Sequence, residues 1–122
     1  MRKAASILIS AIALLHFYIA WFEIFAWTTR GPVAFPSLPL ELFEPTTAMA
    51  ANQGIYNAFL AVGLVWSRLI KDQLWADKIA ACFLLFVAAA GIFGALTVAP
   101  KILVLQTIPA VIALALVALS RR

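Results

Sequence analysis

The segment HFYIAWFEIFAW, residues 16 to 27, carries His16 and Glu23 inside a run otherwise built of apolar and aromatic side chains. These are side-chain types that do acid–base work: an imidazole that titrates near neutrality, and a carboxylate that trades a proton in a dry site. His16, Ala20, Glu23 and Trp27 follow one another at steps of three or four, so on a helix they form one stripe. At 1.5 Å of rise per residue, His16 and Glu23 lie about 10 Å apart along the axis, too far for a direct hydrogen bond. Something from another helix, water or a ligand must come between them. MAANQGIYNAF supplies Asn52, Gln53, Tyr56 and Asn57, which fill an arc of about 140° on a helical wheel. Further along the chain are Lys101 and Gln106. His16 and Glu23 are thus the catalytic candidates. Trp27, Asn52, Gln53, Tyr56, Asn57, Lys101 and Gln106 are the ligand-binding candidates.

The elements that must position these groups are membrane helices. Of 122 residues, 66% are hydrophobic and only 11% charged, too few charges to cover a water-facing surface. A span needs about 20 mostly apolar residues, and four fit, over approximately residues 4–28, 46–67, 76–98 and 100–120. The expected fold is all-α: one domain over residues 1–122, four transmembrane helices in an antiparallel bundle. The apolar runs are continuous, without the alternation of a β-barrel. Arg2 and Lys3 ahead of an apolar run resemble a secretory signal, but the run continues to Trp27 without a small-residue cleavage site, so it is expected to be a retained helix.

The only long connection, TRGPVAFPSLPLELFEPTT, holds four of the six prolines, which excludes one continuous helix through it. Within it LPLELFE is suited to a turn on the membrane surface. Thr46 or Thr47 is the expected N-cap of the second span. Ala88, Gly91 and Ala95 share a face that allows close helix approach. Pro109 is expected to bend the fourth span one turn below Gln106. Cys82 is expected to be a small thiol packed within a span, and Trp27, Trp66 and Trp75 fall near span ends, where aromatic anchors are common.

Basic residues divide unevenly between the two sides. Arg2, Lys3, Arg68, Lys71, Lys78, Arg121 and Arg122 fall on one, Arg30 and Lys101 on the other. The positive-inside rule then places both termini in the cytoplasm, and the expected location is a bacterial cytoplasmic (inner) membrane. Counted inward from the outer ends, Glu23, Asn52 and Gln106 reach one level in the outer third of the bilayer. His16 and Asn57 form the floor, with Lys101 and Trp27 near the mouth. Glu23 should face inward and meet span 2 near Asn52, Gln53 or Tyr56, because lipid exposure would leave the acid unpaired. Asn and Gln often serve only as interhelical glue, at about 0.6 kcal/mol per bond. A carboxylate costs about 2.5–3.5 kcal/mol at mid-span and less near the interface, which glue alone does not obviously offset.

Through AANQGIYNAFLAVGL, HFYIAWFEIFAWTT and KILVLQTIPA, the chain resembles domain-of-unknown-function family 1304, small bacterial membrane proteins. The resemblance covers essentially the whole chain. It implies a four-helix membrane architecture and assigns no activity and no residue roles.

Three functions fit these features. One is binding or acid–base conversion of a small lipophilic molecule in a polar intramembrane pocket, such as double-bond isomerisation in an isoprenoid or sterol-like lipid. Another is proton-coupled export by a homodimer, on the outline of small four-span transporters with one glutamate in the first span, although the long proline-rich connection fits that outline poorly. The third is an accessory or structural subunit whose polar patch is an assembly surface. The expected partners are membrane lipids. The scattered basic residues form no stripe for nucleic acid. One histidine and one cysteine in separate spans lack metal-ligand spacing, no motif supports haem on His16, and no glycine-rich phosphate loop is present. The cofactor is otherwise unassigned.

Overall fold

The computed structural model describes residues 1–121, so Arg122 lies outside the described residues. The chain is all-helical. Four helices are long and apolar enough to cross a membrane, Arg2–Phe25, Thr47–Leu69, Gln73–Thr97 and Leu103–Ser120. Their outer faces carry exposed large apolar side chains such as Ile7, Leu14, Phe86 and Phe93, which only lipid solvates without cost. The chain is a multi-pass membrane protein.

The first helix, α1 (Arg2–Phe25), buries Ala5, Ile9, Ile12, Ala13, His16 and Ala20, a stripe at steps of one, three and four. It stops three residues before the expected Thr28. Ala26 leaves helical geometry at φ −131°, ψ 19°, while its N–H still donates to Phe22 O. A short second helix follows, α2 (Trp27–Ala34), which carries Pro32 inside it and ends before Pro36. The first part of the connection is therefore helical. LEL (Leu40–Leu42) forms a short 3-10 turn within the expected LPLELFE segment.

Trp27 is not a simple interfacial anchor. Its ring lies 5.7 Å from Phe22, 6.0 Å from Phe35 and 5.2 Å from Phe43, centroid to centroid, and its Nε1–H donates to Thr46 Oγ1 at 2.9 Å. The indole thus pins the connection to the foot of α3 (Thr47–Leu69). Thr46 occupies the N-cap position, but its hydroxyl caps nothing. It donates back to Leu42 O at 2.6 Å instead. Trp66 and Trp75 are exposed near helix ends.

The next helix, α4 (Gln73–Thr97), starts three residues before the expected Ala76, because Asp72 Oδ1 accepts the Trp75 N–H at 2.9 Å and caps it. Cys82 is exposed on its outer face rather than packed inside. The fourth span opens with a π-helical turn, Leu103–Thr107, and continues as α5 (Ile108–Ser120). Ile108 N–H reaches five residues back to Leu103 O. The distortion falls immediately before Pro109, which has no N–H to offer the preceding turn.

α1 packs most extensively on α3. Gly54 makes this seam possible, since a Cβ there would lie 2.6 Å from Ile24 Cγ1 and 3.0 Å from Ala20 O. Ser10 and Ala13 neighbour Val65 and Arg68 further along, so the two helices run in opposite senses. On the other side Ala88 and Gly91 admit Thr107, whose Oγ1 donates to Ala88 O at 3.1 Å. A side chain at Gly91 would collide with Thr107. Ala5, Ile9, Leu64, Ala80, Leu84, Ala110, Ala113 and Val117 fill the common core. Its many alanines are the small residues that let lipid-embedded helices approach closely.

At one end, Arg121 Nε pairs with Asp77 Oδ2 at 3.3 Å, and Gln73 Nε2 donates to Asp77 Oδ1 at 2.8 Å. Arg2 Nη2 donates to Ser120 O at 3.1 Å, which brings the start of α1 and the end of α5 together.

Candidate functional site

Glu23 is half-buried on α1, and its Oε2 accepts the Asn57 Nδ2–H at 2.8 Å. Asn57 also donates to Gln53 O at 3.3 Å within its own helix. The carboxylate therefore faces span 2, with its partner more than one helical turn further along that helix than Asn52, the residue expected at its level. Asn52, Gln53 and Tyr56 are exposed, and among the described residues it is Asn57 that hydrogen-bonds Glu23. α1 ends at Phe25 and gives way to α2, and it is Gly54, two residues beyond Asn52, that packs against Ala20, Glu23 and Ile24. Asn57 joins Glu23 instead of forming a floor with His16.

His16 is fully buried. Its Nδ1 lies 2.8 Å from Ile12 O, which makes Nδ1 the protonated nitrogen because a carbonyl only accepts. Nε2, the other ring nitrogen, is buried and has no hydrogen-bond partner among the described residues. His16 does not meet Glu23.

A cleft of about 460 Å³ opens beside Glu23, between α1, α2 and the start of the fourth span. Its volume is in the range of small-molecule sites. α1 contributes Leu15, Tyr18, Ile19, Phe22 and Glu23. The α2 segment adds Arg30, Val33, Ala34 and Phe35, and the fourth span Lys101, Ile102, Leu105 and Gln106. Gln106 belongs to the π-helical turn, and Lys101 lies just ahead of it. Of the ligand-binding candidates, Lys101 and Gln106 thus reach the cleft with Glu23. Trp27 packs against the cleft residue Phe35, and Asn57 hydrogen-bonds the cleft residue Glu23.

Arg30 is a cleft residue whose place in the sequence gave only a topological signal, a cation on the side poor in them. Its guanidinium lies 5.0 Å from the Trp21 ring centroid, and Nη1 donates to Tyr18 OH at 3.4 Å. Lys101 Nζ donates to Ala34 O and lies 4.9 Å from the Phe35 ring centroid. Both cations rest on aromatic faces and neutral oxygens. Chemically, the cleft offers an apolar wall, two cations, one amide and one carboxyl group that can carry a proton.

Comparison with known proteins adds a family and no activity. The model of a family described as a protein of unknown function (DUF1304) matches residues 10–118. The chain is similar to the uncharacterized protein YpaA of Lactococcus lactis subsp. lactis (strain IL1403), with 30% identity over 106 residues, covering 84% of this chain and 87% of that protein. No solved structure matches the chain.

Proposed function

Because the chain belongs to the DUF1304 family, whose function is unknown, we propose one from the site itself: binding of a small lipophilic molecule in the cleft between α1, α2 and the fourth span. The observation that supports this is the placement of Glu23, Gln106, Arg30 and Lys101 at the border of an apolar wall made by Leu15, Ile19, Phe22 and Leu105. A lipophile with one polar end is the molecule whose two parts match those surfaces. Glu23 is the acid–base group for any conversion there, held by Asn57 and open to the cleft. His16 is a weaker participant, because it is sealed in the core on the same helix. In this reading the cleft opens toward the outer leaflet of a bacterial cytoplasmic (inner) membrane, both termini are cytoplasmic, and bilayer lipids are the immediate partners.

The test is to purify the protein in mild detergent and resolve the retained lipophiles by native mass spectrometry and chromatography. Ile19→Trp, which fills the cleft, is expected to lose the retained molecule while keeping the thermal transition. Glu23→Gln keeps an acceptor for Asn57, so it should remain folded, and acid–base work would show as a changed composition of the retained pool. Equal retention by the protein and its filled-cleft variant would refute the binding site.

A further inference from the structure

Resting on the proposed cleft, we infer that its ligand is an anionic amphiphile, a carboxylate or phosphate head on an apolar tail, and that Arg30 and Lys101 receive the head. Both cations line the cleft. Among the described residues the only carboxylate within ion-pair distance of a cation is Asp77 with Arg121, at the opposite end. The one acid in the cleft, Glu23, takes its hydrogen bond from Asn57 instead. Arg30 and Lys101 are left with a phenol oxygen, a backbone carbonyl and two aromatic rings. Whether Glu23 is charged or neutral, two cations against one acid leave the cleft positive. An arginine fork and a lysine point charge are the standard receivers of carboxylate and phosphate oxygens, and they bind these more strongly than neutral acceptors.

The geometry also pre-orients them. Trp21 and Phe35 hold the cations over their faces without neutralising them, so an arriving anion displaces only weak neutral partners. The tail then lies along Ile19 and Leu105, on the wall that continues from the polar border.

The experiment uses the full chain in nanodiscs of zwitterionic lipid, with dibromostearate and its methyl ester as tryptophan-quenching probes. The two share a tail and differ in head charge. The acid is expected to bind about tenfold more tightly than the ester, a ratio within reach of two charge-assisted contacts. Arg30→Gln with Lys101→Gln should remove that advantage, so that acid and ester bind alike, while Arg30→Lys with Lys101→Arg should restore most of it. A brominated phosphatidylglycerol arm separates the sources. Quenching there that depends on both cations means a bilayer lipid supplies the anion, and quenching by the free acid alone means a diffusing amphiphile does. Equal binding of acid and ester would overturn the anionic assignment and leave the lipophile cleft standing. Failure of both probes, and of the brominated lipid, would overturn the cleft itself and this inference with it.

Discussion

At the end of the bundle where α1 starts and α5 finishes, charge is spent on holding helices together. Asp77 is buried against Gln73 and Arg121, and Arg2 reaches the last turn of α5. At the opposite end the charges lie around a cleft, and the two cations there have no acid partner within ion-pair distance among the described residues. The two ends contain similar side chains and use them differently. Polar groups in a membrane protein are costly, so a group satisfied by its neighbours is explained by structure, and one left with neutral partners asks for a ligand. By that criterion Asp77 is a fastener, and Arg30 and Lys101 are receivers. Glu23 falls between them, bonded to Asn57 yet facing the cleft.

The largest effect on this contrast should come from the fastened end. Asp77→Ala removes the acceptor of two side chains and is expected to cost about 1–3 kcal/mol, seen as a lowered thermal transition in detergent. Cleft binding measured on the folded fraction should be unchanged. Loss of binding without loss of stability would erase the distinction between the ends. Asn57→Ala should have an intermediate effect of about 0.6 kcal/mol, the average for an interhelical bond in a membrane, with a ceiling near 1.7. Because it frees Glu23, it should also change cleft binding, and a purely thermal effect would move Glu23 to the fastened class. The smallest effect on stability belongs to Arg30→Gln and Lys101→Gln, each expected within about 0.5 kcal/mol of the parent because both side chains are exposed. A loss of several kcal/mol for either would show that its aromatic and carbonyl partners hold the fold, contrary to the receiver role.

The fold was written plainly in the sequence, because four long apolar runs leave few alternatives once lipid is the solvent. The inward direction of Glu23 was legible for the same reason of cost. Its partner was not. The depth count took Thr28 as the end of the first span, and FAWTT contains no proline or glycine to mark the break at Ala26. A count from helix ends puts Asn52 at the level of Glu23, whereas the α1–α3 seam closes at Gly54 and brings Asn57 to the carboxylate. Arg30 gave a topological signal and no sign of the cleft, because nothing in the proline-rich connection marks its first part as helical. Asp77, an acid at the edge of an apolar run, carries a signal of its own, but its partner Arg121 lies 44 residues away. Local patterning fixes helices well, but the pairing of distant polar groups depends on where each helix ends.

The π-helical turn at Leu103–Thr107 gives the fourth span a property that a uniform helix lacks. One extra residue in a turn shifts the phase of everything after it by about 100° relative to an unbroken α-helix. The span is in effect two rulers joined out of step: Lys101, Ile102 and Leu105 are read against α1 and α2, while Ala110, Ala113 and Val117 are read against the core. Each half can therefore change its facing residues without re-indexing the other, so long as the number of residues between them is kept.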